Sequence, residues 1–169
     1  MEIMKKLEKV ISSRTKTRFQ DSDPFNHLNN GKYIDYMMNA REDQVEAHYG
    51  LDLFDLAKTK GVGWVVATNQ ISYINSAVTM EELYLDSQLM SFSERQMEVE
   101  IRMWNKDKTQ LKAFLWIRFV HVNLKNQKVS THSEELMNLF GEVVLPIEQS
   151  NFDARNKYWR KNASSKELV

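Results

Sequence analysis

Arg18-Phe19-Gln20-Asp21-Ser22-Asp23-Pro24-Phe25-Asn26-His27-Leu28-Asn29-Asn30-Gly31-Lys32-Tyr33 is the stretch whose reading decides this chain. Two carboxylates, a histidine and an Asn-Asn pair fall within ten residues, where an extended segment gives way to a long amphipathic pattern. Pro24 fixes its own φ and pushes Ser22-Asp23 toward extended backbone, while Asn29 and Asn30 are strong helix N-caps. Asp23 is therefore expected close to the open N-terminus of a helix, where unpaired N–H groups attract negative charge. A carboxylate beside free backbone donors can attack a carbonyl and stabilise the resulting oxyanion. The outline is that of an acyl-transfer site.

C-terminal to this stretch, Tyr33, Met37, Ala40, Val45 and Ala47, with Tyr36 beside them, fit a helical stripe from Asn29 to about Tyr49, and Gly50 supplies its stop. Leu51 to Gly61 reads as a connector with a helical turn, closed by Gly61-Val62-Gly63. The character then changes to β. Trp64 to Ile74 is rich in β-branched and aromatic residues, and strands are expected over Glu82 to Phe92, Gln96 to Asn105 and Gln110 to Val122. Asn105-Lys106-Asp107-Lys108 joins the last two as a hairpin. From Leu111 to Phe119 both faces are apolar, which predicts a central strand covered on both sides. A short strand at Lys128-Val129-Ser130 and a capped helical turn at Ser133-Glu134-Glu135-Leu136 follow.

N-terminal to the stretch, Lys16 to Gln20 reads as the first strand. Residues 1–12 form a short helix or an irregular lead-in. Residues 148–169 turn polar and carry a short helix with a frayed end. No repeat or linker interrupts the chain, so residues 1–169 are expected to form one α+β domain with its core over about 14–145. An antiparallel sheet would curl around the long helix, whose stripe fills the concave face.

The 169 residues suit one full core, and 23 basic against 23 acidic residues leave no net charge to recruit nucleic acid. The cationic runs Lys5-Lys6 and Lys157-Tyr158-Trp159-Arg160-Lys161 read as solvated surface. The absence of cysteine excludes disulfides, thiol chemistry and cysteine-bound zinc. No signal-peptide pattern or membrane-length apolar run is present, which points to a cytoplasmic protein without a membrane partner.

These residues resemble the hotdog-fold acyl-CoA thioesterases of the 4-hydroxybenzoyl-CoA thioesterase type. The resemblance lies in Arg18, Asp21-Ser22-Asp23-Pro24-Phe25-Asn26-His27-Leu28-Asn29-Asn30, Tyr33 and Ala40-Arg41, continued by Trp64-Val65-Val66 and Ile71-Ser72-Tyr73. It covers about residues 14–145. Asn26 stands where the family has glycine, a substitution the left-handed region tolerates. The loop Asn75 to Glu81 lacks the family's Pro and Gly, and Asn39 replaces an acid before Ala-Arg.

The resemblance implies a hotdog fold and acyl-CoA as substrate. It implies Asp23 as nucleophile or general base, the Asn30 backbone N–H as carbonyl donor, and Asn29, Gly31 and Tyr33 around the substrate. His27 would orient Asp23 or substrate, or brace the loop. The resemblance further implies a homodimer joined sheet edge to sheet edge, with sites between subunits and pairing into a homotetramer left open. No cofactor is required beyond the CoA of the substrate, and no metal is expected, since the Asp-Ser-Asp…His spacing matches no standard metal loop. Asp21 is read as bracing the loop or pairing with Arg18, and Asp23 has an Asx-turn as its alternative role. His48, His121 and His132 are read as structural or exposed. Met37, Met38 and Tyr36 are read as core or as the border of an acyl pocket. A thioesterase acting on acyl-carrier protein and a non-catalytic acyl-CoA-binding protein remain alternatives. A hotdog dehydratase is disfavoured because its His-containing helix motif is absent.

Overall fold

Burial of one face of a long helix organises the fold. In the computed structural model, which describes residues 5–167, helix α1 spans Tyr33–Tyr49 and is entered through a 3₁₀ turn at Asn30–Lys32. The Asn29 side chain caps that turn by accepting from the Gly31 N–H, and Gly50 ends the helix in the left-handed conformation at φ 66°. Tyr33, Met37, Ala40, Gln44 and Val45 are buried. Ala47, expected in the stripe, is exposed. The fourth inward position falls to Gln44, four residues after Ala40, and its amide is satisfied by Ser13, Leu85 and Ser87.

Strands β1 (Val10–Lys16), β2 (Val62–Tyr73), β3 (Glu82–Phe92), β4 (Gln96–Asn105) and β5 (Leu111–Asn123) form an antiparallel sheet in the order β1-β3-β4-β5-β2. The short β6 (Lys128–Val129) adds to β5. Register shifts at Val66/Thr68, Leu89/Ser91 and Met103/Trp104 are bulges that bend the sheet. Its concave face presents Leu83, Leu85, Leu89, Val99, Ile101, Met103, Ala113, Leu115 and Ile117 to α1.

The first strand begins earlier than expected. β1 is Val10–Lys16, and Phe19–Asp21 is a 3₁₀ turn. Pairing with β3, Val10 opposite Gln88 and Lys16 opposite Glu82, draws part of the expected lead-in into the sheet. Residues 1–4 of that lead-in lie outside the described residues. The expected connector contains helix α2 (Leu53–Lys60), capped by Asp52 and by Gly61 at φ 67°. The turn foreseen at Ser133 extends into helix α3 (Glu134–Val143) with Ser133 as N-cap.

The largest correction concerns the C-terminus, where the expected short helix is α4, spanning Phe152–Glu167. It lies on the convex face of the sheet. Phe152 stacks on Phe114 at 5.0 Å and meets Trp116 edge-on, while Trp159 meets Trp104. Phe114 and Trp116 alternate with the concave-face Ala113, Leu115 and Ile117, so β5 is covered on both faces as its composition predicts. Among these rings lies Glu100, fully buried. Its carboxylate accepts from Arg155 Nε (2.8 Å) and Nη2 (2.6 Å), Arg102 Nη1 (2.6 Å) and Trp116 Nε1 (2.7 Å). Burial alone would raise the Glu100 pKa, and the two guanidiniums outweigh it, holding the carboxyl below its ordinary range. Arg155→Ala removes one of these compensating charges. It is expected to cost about 3 kcal/mol in denaturant unfolding, as for a buried ion pair broken on one side.

Candidate active site

Asp23 sits in a seven-residue loop closed by bridges of Ser22 to Leu28 and of His27 to Val78. Its N–H donates to His27 O (2.8 Å), and its own carbonyl accepts from Asn26 N (3.1 Å). Asn26 supplies the left-handed residue at φ 65°, as its tolerance for that region anticipates. Asp23 Oδ1 accepts from the N–H groups of Phe25 (2.9 Å) and His27 (3.1 Å). This is an Asx-turn, so the alternative role is realised, but it occupies only one carboxylate oxygen. Oδ2 of this half-buried side chain has no hydrogen-bond partner among the described residues.

The loop is fastened from both sides. Leu28 N donates to Ala77 O (2.8 Å), Thr79 N to Asn26 O (3.0 Å) and Thr79 Oγ1 to Ser22 Oγ (2.7 Å). Asp21 accepts the Tyr36 hydroxyl at Oδ2 (2.7 Å), and its carbonyl accepts from Asn29 N (2.8 Å). It therefore braces the loop, and no ion pair joins it to Arg18 among the described residues.

The start of α1 lies beside this loop. Gly31 N–H is spent on the Asn29 side chain and Lys32 N–H on Asn29 O, both within the turn. Asn30 N–H donates to no backbone or side-chain acceptor among the described residues. Asn30 O accepts from the Tyr73 hydroxyl (3.1 Å), at the end of β2. Tyr33 is 2% exposed, accepts from Ala77 N (3.0 Å) and meets Tyr73 edge-on. Burial raises its pKa, and the negative charge of Asp23 adds to the effect. Tyr73 and the first turn of α1 thus meet over the buried Tyr33, and Asp23 lies near enough for its charge to act on that phenol. His27 contributes its backbone to the loop, and its imidazole makes no hydrogen bond to Asp23.

A cavity of about 330 Å³ opens between the later turns of α1, α2, the start of β2 and α3. Met38, Val45, Trp64, Phe119 and Phe140 line it, within the size range of small-molecule sites. Met38 and Met37 divide the roles foreseen for them: Met38 borders the cavity and Met37 is core. Arg41 also reaches this lining. It donates to Ser87 Oγ (2.9 Å), and burial lowers its pKa to about 10, which leaves it charged at neutral pH.

Behind the Trp64 and Phe140 wall lie His121 and His132, both buried, with ring centroids 4.8 Å apart. Trp64 Nε1 can only donate, so His132 Nε2 accepts from it (3.0 Å), and Nδ1–H donates to Ser93 O (2.9 Å). His132 is therefore held neutral. Burial lowers both imidazole pKa values below the ordinary 6.5. Lowered folded-state values mean that the unfolded chain binds protons first. Stability should be full above about pH 6.5 and fall as the pH drops toward the depressed values. His132→Gln is expected to flatten that fall in urea-unfolding curves measured between pH 7.5 and 5.

Three features of this region were not drawn from the sequence: the Tyr73 contact to Asn30, the cavity position of Arg41, and the histidine pair. Ala40-Arg41 was part of the quoted motif but carried no role, and its place on the Ile34–Met38–Arg41–Val45 face was the available signal. Among the described residues, no group of three or more His, Asp or Glu is placed to hold a metal ion.

A curled antiparallel sheet around one long helix is the architecture of the hotdog thioesterases. The chain belongs to the thioesterase-like superfamily, whose sequence profile matches residues 17–140. It is 26% identical over 134 residues to the long-chain acyl-CoA thioesterase FadM of Escherichia coli strain K12, covering 79% of this chain and 99% of that protein. The crystal structure of YbaW from Escherichia coli superposes with a TM-score of 0.68 at 26% identity, over 80% of this chain and 99% of that one. A 1,4-dihydroxy-2-naphthoyl-CoA thioesterase from Synechocystis shares the fold, with a TM-score of 0.70 at 12% identity over 79% and 95% of the two chains.

Proposed function

We propose that this protein hydrolyses acyl-CoA thioesters to a free acid and CoA, with Asp23 as the reacting carboxylate. The observation that carries this reading is the half-used Asp23: Oδ1 is pinned by two amides and Oδ2 is left open, in the loop that leads into α1. In this reading the thioester oxygen lies on the Asn30 N–H, at the positive end of α1. Asp23 attacks the carbonyl carbon, or removes a proton from the water that does so. The C–S bond then breaks: where Asp23 has deprotonated water, the CoA sulfur takes that proton, and where Asp23 attacks, the sulfur leaves as a thiolate that takes a proton from solvent. Where Asp23 attacks, water hydrolyses the resulting anhydride. The apolar cavity receives the acyl chain, in line with membership of the thioesterase-like superfamily and the likeness to FadM.

We further infer that the site is shared between two copies of the chain. β2 is an edge strand of 12 residues, exposed from Val65 to Gln70. Such an edge invites pairing. Its Tyr73 end touches Asn30, whereas its Gly63-Trp64 end lines the cavity. Antiparallel pairing of two β2 strands about a two-fold axis would set Asp23 of one copy beside the cavity mouth of the other. A cytoplasmic setting fits a chain without cysteine.

The direct test follows thiol release from short, long and aromatic acyl-CoAs. Asn at position 23 keeps an acceptor for the two loop amides, so Asp23→Asn should fold normally and lose about a hundredfold or more in kcat. Full activity in that variant would remove Asp23 from the mechanism. Met38→Trp, which fills the cavity, is expected to lower kcat/KM for long chains about tenfold relative to short ones. An unchanged chain-length profile would place the acyl group elsewhere.

A further inference from the structure

Helix α4 has two faces with different uses. Its inward residues Arg155 and Trp159 are spent on Glu100 and Trp104 of the sheet. Its outward residues Lys157 and Lys161 stand one helical turn apart, both exposed, and neither forms an ion pair among the described residues.

Arg160 ties this face to the candidate active site. Its Nη2 donates to Ser72 Oγ (3.1 Å) and to Tyr73 O (3.2 Å), while Nε donates to Asn156 Oδ1 (3.1 Å). Ser72 Oγ also donates to Asn156 Oδ1 (2.7 Å), so α4 is clamped to the end of β2. The same Tyr73 donates its hydroxyl to Asn30 O, on the turn where the thioester oxygen is proposed to lie. One residue, Tyr73, therefore separates the cationic face from the reacting end of α1. Asp153 lies one turn before Lys157 and two turns before Arg160 along the same side of α4, at the end of the helix away from Lys161. α4 falls outside residues 17–140, the part matched by the superfamily.

We propose that Lys157 and Lys161, on the face of α4 that Arg160 ties to β2, bind the phosphate groups of CoA. They hold the nucleotide end of the substrate while the pantetheine arm carries the thioester past Tyr73 to Asn30. The inference rests on the thioesterase reading and deepens it by assigning the CoA end of the substrate. The chemistry is apt: ammonium groups are compact donors for phosphate, and a chain of zero net charge relies on local cations to attract a polyanion.

The test compares one acyl group carried on CoA and on pantetheine, which lacks the nucleotide phosphates. In the Lys157→Gln/Lys161→Gln variant, kcat/KM for the CoA ester relative to the pantetheine ester should fall about fivefold or more. The preference of the wild type for the CoA ester should weaken with added salt, and Lys157→Arg/Lys161→Arg should retain it. An unchanged ratio, or an equal loss on both esters, overturns the proposal. Loss confined to acyl-carrier protein also overturns it and assigns this face to an acidic protein. A wild type that releases thiol from no ester counts against the thioesterase reading instead. Calorimetry with free CoA then tests the cationic face separately, and equal affinity in wild type and variant overturns it.

Discussion

Packing of α1 into the hollow of the bulged sheet is the contact on which everything else depends. Tyr33, Met37, Ala40 and Gln44 lie along one face of the helix, and side chains from β3, β4 and β5 close over them. Removing this apolar surface from water supplies the main driving force, because each fully buried large side chain contributes on the order of 2 kcal/mol. The helix can be held at the centre only if the sheet curves, and the three register shifts supply that curvature. With α1 fixed, its two ends acquire definite neighbours. The first turn meets the Asp23 loop and Tyr73, and the later turns border the cavity.

The convex face answers a different need. A sheet wrapped around a helix leaves its outer surface to water unless something covers it. Here the outer positions of β4 and β5 include Glu100, Trp104, Phe114 and Trp116, which do not suit water together. α4 covers them, and Arg155 and Arg102 neutralise the carboxylate it buries. A buried carboxylate flanked by two guanidiniums is a weak source of stability but a demanding one, since loss of either partner leaves charge in a dry site. Its effect is to fix where α4 lies. That placement carries Arg160 to Tyr73, and so links the outer face of the sheet to the start of α1.

Much of the fold was legible because local signals agreed. β3 and β4 match their expected limits, and the hairpin between β4 and β5 falls where Asn105 to Lys108 put it, with Lys108 in the left-handed region at φ 57°. Within the Asp23 loop, the Asn29 cap and the conformation of Asn26 followed from residue chemistry alone. Errors fell where long-range pairing overrides propensity. β1 takes its limits from β3, and α4 exists as a long helix because Phe152, Arg155 and Trp159 find partners 38 to 55 residues away in sequence. Its own composition is polar, so nothing local marks its inward face.

Sequence by itself determined the α+β class, the central helix, the strands of the meander and the loop that carries Asp23. Each of these rests on patterns of a few residues: capping, alternation and turn chemistry. Tertiary structure decided that Gln44 rather than Ala47 faces the core, that His121 and His132 are buried together, that Arg41 reaches an apolar cavity, and that α4 seals the sheet. It also decided that only one oxygen of Asp23 is spent on its own loop. These facts depend on which distant surfaces meet when the sheet curls, and no local pattern encodes that meeting.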